Sequence, residues 1–465
     1  MKFDCIARPP AGAPSLYTDT YARRKTNIEG AIQTMSNAAT SKPRSQQIAA
    51  AVIGNALEWY DFTIFGFMII VISRLFFPAE SEYASMLLAT ATFGVGFVMR
   101  PVGGILIGRY ADRCGRKAAL QLIMTLMAIS IAMIALAPTY AAIGIAAPIL
   151  IVVARLLQGF ATGGEFSSAT SFLLEIAPPH RRGLYTSWQM FGQGMALLCG
   201  AGLATLVTYG LTQRELDAWG WRIPFLLGLL IGPVGLWIRQ YLNETEAFIE
   251  ACKAPAEKRS LAFLLRNHGR EMAIVMGLTV FGTVSFYGLL VYMPTFAHKT
   301  LRLSLGDAFL AQSIAIAVMT LLIPLSGRLS DSIGRKPILI GASLLMLVVL
   351  YPLVIWLDSA PSFSKLLITQ LILCACIGLY FGPISAVVAE QFPVGVRSTG
   401  LAIGYNAAVM IFGGFAQFIF TWLIQATGES TAPFLYVLFA AAIGLLSAIL
   451  VVDHWRDQAL PAANP

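Results

Sequence analysis

Apolar runs of about 20 residues, the length that crosses a ~30 Å hydrocarbon core, recur twelve times along the chain and are separated by short polar stretches. Six fall near 48–77, 84–107, 118–137, 143–176, 184–209 and 223–242, and six near 271–297, 308–326, 337–357, 366–389, 399–426 and 433–452. The fourth is unusually long and contains Pro148. The longest polar interval between runs, Asn243 to Arg270, divides the two sets. This pattern predicts an all-α membrane protein of twelve transmembrane helices in two six-helix bundles. The boundaries that follow are a disordered N-terminal tail over 1–47, bundles over 48–242 and 271–453, a linker over 243–270 and a C-terminal tail over 454–465.

The halves are related in sequence. GRYADRCGRK (Gly108 to Lys117) returns as GRLSDSIGRK (Gly327 to Lys336), with Gly, Asp, Gly, Arg and Lys each displaced by 219 residues. Glu175, Pro178 and Arg182 are answered by Glu390, Pro393 and Arg397, each 215 residues on. An internal repeat of this length makes the bundles pseudo-symmetric, and parallel six-span halves are a transporter layout with its site near the bilayer midplane.

Composition agrees: 57% of residues are hydrophobic and 12% charged, about half the charge of a soluble domain. The net charge of +8 does not indicate nucleic acid, because the basic residues sit in short loops beside spans. Loops after even-numbered spans carry Arg109, Arg113, Arg116, Lys117, Arg181, Arg182, Arg328, Arg335, Lys336 and Arg397, whereas the first loop is acidic at Glu80 and Glu82. This bias places both termini in the cytoplasm. The six cysteines form no CxxC and no zinc spacing, which argues against a disulfide framework. Residues 1–34 lack the apolar core of a secretory signal, and Met35 is an alternative start that mass spectrometry of the native N-terminus would distinguish from Met1.

The loop Gly108 to Lys117 with its echo, the stretch RLLQG (Arg155 to Gly159), and the acid-to-Arg segments EIAPPHRR and EQFPVGVR resemble the motifs of the major facilitator superfamily. The second loop departs from the first, with Ser332 where the first has Arg113. GNALEWYDF (from Gly54), FFPAESEYA (from Phe76), GFVMRPVGG (from Gly96), RLLQGFATGGE (from Arg155), YTSWQ (from Tyr185) and WGWRIPF (from Trp219) are similar to the metabolite:proton symporters, and among these most like the citrate and tricarballylate branch. The resemblance implies the major facilitator fold and proton-coupled import of citrate or a related tricarboxylate. It also implies a bacterial inner membrane protein acting as a monomer, with no cofactor beyond the proton gradient. Neighbouring branches carry 2-oxoglutarate, shikimate, proline or betaine. A ligand-sensing receptor and a membrane enzyme are the readings from other classes. No added signalling domain, HExxH, P-loop or nucleophile elbow is found in the sequence.

Ionisable residues deep in spans mark function by default. The first half has Glu58, Asp61, Arg100, Arg155 and Glu165, and the second half has none as deep. At 1.5 Å per residue, Asp61 lies roughly 20 Å from Ile48, Arg100 roughly 12 Å from Gly108 and Glu165 roughly 15 Å from Glu175, depths that place all three in one layer. Asn55, Glu58 and Asp61 share a helix flank, and Arg155 sits nearer the outer side. Three acids against two arginines leave one acid to carry a proton. Asp61, with Glu58 in support and Glu165 as a third candidate, is the proton-coupling acid. Arg100 and Arg155 anchor substrate carboxylate. Asn55, Gln189, Tyr405 and Asn406 are polar candidates for the substrate site, followed by Gln193, Tyr287, Tyr292, Gln312 and Tyr380. Gly108, Asp112, Arg116, Lys117, Glu175 and Arg182, with Asp331, Arg335, Lys336, Glu390 and Arg397, form a cytoplasmic gate. Glycines in the paired loops permit a tight turn, and the two loops act symmetrically while the first half alone handles charge. Asp112→Asn is therefore expected to cut uptake with little loss of folded protein, as measured by transport per mole of purified carrier.

Overall fold

The computed structural model describes residues 44–114, 116–163, 165–229, 266–393 and 396–453; nothing is described of the side chains at 44–47, 50, 51, 108, 109, 111–120, 165 and 168. The tail over 1–43, most of the linker and the C-terminal tail lie outside these residues. Helix begins at Arg44 and Gly269, a few residues before the expected bundle boundaries.

The described residues form helices joined by short turns, with no strand among them. Eight of these helices are long and apolar enough to cross a membrane, and nine when the bent pair Val52–Phe67 and Ile69–Phe76 counts as one span. The shorter helices Gln121–Ala135 and Ala146–Ala161 occupy the third and fourth places. The sixth span is described as helix over 222–229. Serines cap several spans: Ser81, Ser304 and Ser362 each accept a hydrogen bond from the backbone N–H three residues on, satisfying a donor that the helix itself cannot.

Apolar periodicity did not reveal where spans break. The first bends by 61° between Phe67 and Ile69. The fourth is interrupted between Ala161 and Glu165. The seventh and eleventh each contain an i→i+5 turn, closed by Tyr292 N–H to Tyr287 C=O at 3.0 Å and by Gly414 N–H to Val409 C=O at 2.7 Å. Irregular backbone at membrane depth is tolerated where protein covers it, and such turns cluster at functional sites.

The second span (Glu82–Ile107) and the fourth approach backbone to backbone. A Cβ on Gly159 would lie 1.6 Å from Gly96 O, one on Gly103 1.8 Å from Phe160 O, and one on Gly163 2.2 Å from Arg100 O. Only glycine permits this crossing, which draws close-range dispersion from a setting where lipid supplies no hydrophobic drive.

The charged repeat proves to be mostly helix. Gly327 to Ile333 finish the eighth span (Leu305–Ile333) and Arg335 opens the ninth (Arg335–Ser359), leaving Gly334 alone as the turn, at φ 96°. Gly327 is thus no turn residue. A Cβ there would lie 2.6 Å from Ser187 and 2.8 Å from Gly183 O, so its role is to let the eighth span cross the fifth (Pro179–Gly210) of the other half. At this end Asp331 joins the halves: Oδ1 accepts from Gly183 N–H at 2.8 Å and Oδ2 from Leu184 N–H at 2.9 Å. These are the first amides of a helix, where a carboxylate is favoured.

The opposite end is tied as well. Lys299 pairs with Glu82 and the Tyr209 hydroxyl donates to Asp307, both across the halves. Within the first half Arg74 pairs with Asp217.

Two outcomes follow. Gly159→Ala should lower stability by about 1–3 kcal/mol through overpacking against backbone, read as a lower melting temperature in detergent. Asp331→Asn should raise hydrogen exchange at Gly183 and Leu184 by roughly tenfold or more, the loss of two charge-assisted bonds, with exchange in the span centres unchanged.

Candidate functional site

Two buried guanidiniums flank one ring. Arg100, 4% exposed, has Cζ 4.6 Å from the Phe62 centroid and 4.5 Å from that of Phe97. Arg155, fully buried, has Cζ 4.4 Å from Phe62, 4.5 Å from Phe65 and 4.8 Å from Phe93. Aromatic faces partly offset the cost of desolvating each cation. Arg155 Nη1 also donates to Gln158 Oε1 at 2.5 Å. Nε of both arginines and Nη2 of Arg155 find no acceptor among the described residues. Arg155 lies toward Phe65 and Arg100 toward Trp59, 6.0 Å from its centroid, so the pair is staggered along the first span by about one turn.

Beside Arg100 lies a cavity of about 40 Å³ between the halves. The first half contributes Trp59, Phe166, Met190 and Gln193, and the second contributes Leu278, Thr279, Thr283, Phe286, Tyr287, Phe381, Ile384, Val388 and Tyr405. Tyr405 stacks on Phe166 at 3.8 Å, ring on ring across the halves. The Tyr287 hydroxyl is buried with the Arg100 side chain as its hydrogen-bonding neighbour. It lies within electrostatic reach of Arg100, Arg155 and Glu58, while Tyr405 lies within reach of Arg100 and Glu58. The i→i+5 turn in the seventh span begins at Phe286, which presents Phe286 and Tyr287 in succession to the cavity.

Other polar candidates hold helices together. Gln189 accepts from Thr170 Oγ1 at 2.6 Å and donates to Phe166 O at 3.3 Å, bracing the fourth and fifth spans. Asn406 donates to Gly163 O at 2.8 Å, bridging the halves at the break in the fourth span. Gln193 donates to Asn55 Oδ1 at 3.2 Å while also lining the cavity. Tyr292 bonds Thr421, Tyr380 donates to Leu278 O, and Gln312 accepts from Gln370.

Asp61 does not join the arginines. Each helical residue turns about 100°, so the face that carries Trp59 and Phe62 to Arg100 leaves Asp61 about 200° around from Trp59. Its carboxyl, 6% exposed, lines a second chamber with Leu57 and Glu58, the third-span residues Met124, Met127 and Ala128, and Gly228 of the sixth. The single layer expected from depth alone is therefore split, because depth ignores azimuth. The Glu165 side chain lies outside the described residues.

At the repeat-bearing end, Arg335 donates to Glu390 at 3.2 Å and lies 3.7 Å from Asp331. Arg397 donates to Ala389 O at 3.0 Å, within electrostatic reach of Glu175, Arg182 and Glu390. Lys336 engages Asp453 and Val451 O inside its own half. The side chains of Asp112, Arg116 and Lys117, and with them Gly108, lie outside the described residues, so symmetric pairing by the first copy does too. Sequence reasoning missed the Phe62 partition, Gly228, and the Lys299–Glu82 tie; all three depend on which segments fold together.

Residues 51–404 match the Major Facilitator Superfamily. A citrate-proton symporter of Salmonella typhi is 38% identical over 411 residues, covering 88% of this chain and 94% of the relative. One of Klebsiella pneumoniae is 39% identical over 394 residues, covering 85% and 88%. A proline/betaine transporter of Salmonella typhimurium (strain LT2) is 33% identical over 428 residues, covering 90% and 85%. The crystal structure of a D-xylose-proton symporter shares the fold at a TM-score of 0.70 and 22% identity, covering 88% of this chain and 97% of its own. Matched along this length, and built as two six-helix halves around a central cavity, this multi-pass membrane chain is a transporter, not an enzyme, and belongs to the major facilitator superfamily.

Proposed function

We propose that the chain is a secondary active symporter importing a small carboxylate, citrate or a related tricarboxylate, with protons by alternating access. The observation that carries this is the Arg100 and Arg155 pair, two buried cations with N–H donors that no described protein group accepts. Such donors are costly in a membrane interior, and a carboxylate matches the planar fork of a guanidinium. Similarity to citrate-proton symporters supports both the tricarboxylate class and the proton. Arg100 receives a carboxylate beside Tyr287 and Tyr405, Arg155 lies one turn outward on the entry path, and Asp61 carries the proton with Glu58 in support. Asn55, Gln189 and Asn406 then act by holding the cavity walls.

In this reading the protein lies in the bacterial inner membrane as a monomer with both termini cytoplasmic. The Asp331, Arg335 and Glu390 cluster, with Glu175, Arg182, Lys336 and Arg397 around it, becomes the cytoplasmic gate. Gly108, Asp112, Arg116 and Lys117 are its counterparts in the first half. Opening that end requires Asp331 to leave the amides of Gly183 and Leu184.

One observation favours a second substrate class. Trp59, Phe286, Tyr287 and Tyr405 give the cavity aromatic walls, which suit a quaternary ammonium such as betaine, and proline/betaine transporters are among the relatives.

Proteoliposomes decide between them. Labelled citrate should accumulate under an inward pH gradient and not without one, whereas accumulation of betaine and exclusion of citrate would overturn the carboxylate reading. Arg100→Lys should raise the KM for citrate by about tenfold or more, since a point charge replaces a two-pronged donor.

A further inference from the structure

The first span separates two chambers that have no lining residue in common. The substrate cavity meets the span through Trp59, whereas a small chamber of about 10 Å³ on the other side meets it through Leu57, Glu58 and Asp61. Asp61 lines only the second chamber, and its Oδ1 is buried without a hydrogen-bond partner among the described residues. Opposite it stands Gly228. A Cβ there would lie 2.6 Å from Asp61 Oδ1 and 2.4 Å from Ile131 Cδ1. Any larger residue on the sixth span would therefore occupy the space into which the carboxyl points.

We propose that proton and carboxylate occupy separate chambers on opposite sides of the first span, with Gly228 a positioning residue that keeps clearance for the Asp61 carboxyl. Glu58 is the link, because it lines the Asp61 chamber and lies within electrostatic reach of Tyr287 and Tyr405 in the substrate cavity. The inference rests on Asp61 being the proton-carrying acid.

Among the described residues, the titratable groups around Asp61 are few. Glu58 and Tyr60 share its helix, with the Tyr60 hydroxyl donating to Pro224 O at 2.8 Å on the sixth span. Cys199 of the fifth span lies within reach of Tyr60. The third-span wall is Met124, Met127 and Ala128. Arg222, near the start of the sixth-span helix, donates to the carbonyls of Ala218 and Ala137. Among the described residues, clearance and solvation therefore govern a proton on Asp61 more than a fixed counter-charge does, and Gly228 bears on both.

The test compares wild type, Asp61→Asn, Ile131→Val, Gly228→Ala and the double variant Gly228→Ala/Ile131→Val in proteoliposomes with labelled citrate. Ile131→Val removes the Cδ1 atom that the new methyl would strike, so the double variant isolates the clash with the carboxyl and guards against misfolding. Exchange at equal pH reads the substrate cavity, and gradient-driven uptake against external pH reads the proton chamber. Asp61→Asn should lose accumulation. In the double variant the pH of half-maximal uptake should move to the alkaline side of Ile131→Val by about half a unit or more, because the methyl displaces solvation that only the ionised form requires. Its exchange KM should stay within about twofold.

In purified protein, an infrared carboxylic-acid band absent from Asp61→Asn should shift its titration midpoint in the double variant, a reading independent of the substrate. A double variant that raises the exchange KM about tenfold, or whose pH profile and band match Ile131→Val, overturns the separate chamber while leaving Asp61 its role. Asp61→Asn that accumulates citrate like wild type overturns the assignment of Asp61, and the inference with it.

Discussion

The contact between the second and fourth spans sets the geometry of everything at the centre of this protein. Gly96, Gly103, Gly159 and Gly163 bring the two backbones within the radius of a missing methyl, and Arg100 and Arg155 sit on these same two helices, their carbonyls part of the crossing. Gly163 packs on Arg100 O and Gly96 on Arg155 O. The spacing that allows one phenylalanine, Phe62, to lie between two guanidiniums is therefore fixed by main-chain contact, which does not yield as a side-chain contact would.

Charge inside the membrane is distributed by azimuth as much as by depth. The first span carries Asn55, Glu58, Trp59, Asp61 and Phe62 within three turns, yet these serve different surroundings: Asn55 a brace to Gln193, Glu58 and Asp61 a side chamber, Trp59 the cavity between the halves, and Phe62 the arginine partition. A helix that separates chambers in this way can link events in one to events in the other by small rotation, and the 61° bend above Phe67 gives it a place to move. At each end the halves meet through a few polar ties, Asp331 to helix amides at one and Lys299 with Glu82 and Tyr209 with Asp307 at the other. Under the proposed alternating access these ties would break in turn, and polar ties that water can replace suit that purpose better than an apolar seam.

Much of this was legible in the sequence for a physical reason. A ~30 Å apolar slab imposes a span length that any reader of hydropathy can count, so the number, order and approximate limits of the segments follow from composition along the chain. The 219-residue echo between Asp112 and Asp331 likewise marks two related halves. That Arg100 and Arg155 are buried cations inside spans is also visible, because the cost of a buried cation makes each rare there. The functions of Gln189, Asn406 and Tyr380 were not visible: an amide or phenol in hydrocarbon must find a partner, but the chain alone does not say whether that partner is a substrate or a neighbouring helix. In the structure each finds protein.

What the sequence determined by itself is the architecture, twelve apolar segments in two related sets with the deep charges confined to the first, since these depend on local composition and on the fixed thickness of the bilayer. Only the tertiary structure decided which charges face one another. Asp61 lines a side chamber while Arg100 lies over Phe62 and Phe97, and the glycine that faces Asp61 lies on the sixth span, 167 residues away, at Gly228. Rotation of each helix about its axis is set by packing against its neighbours, and no stretch of sequence carries that information alone.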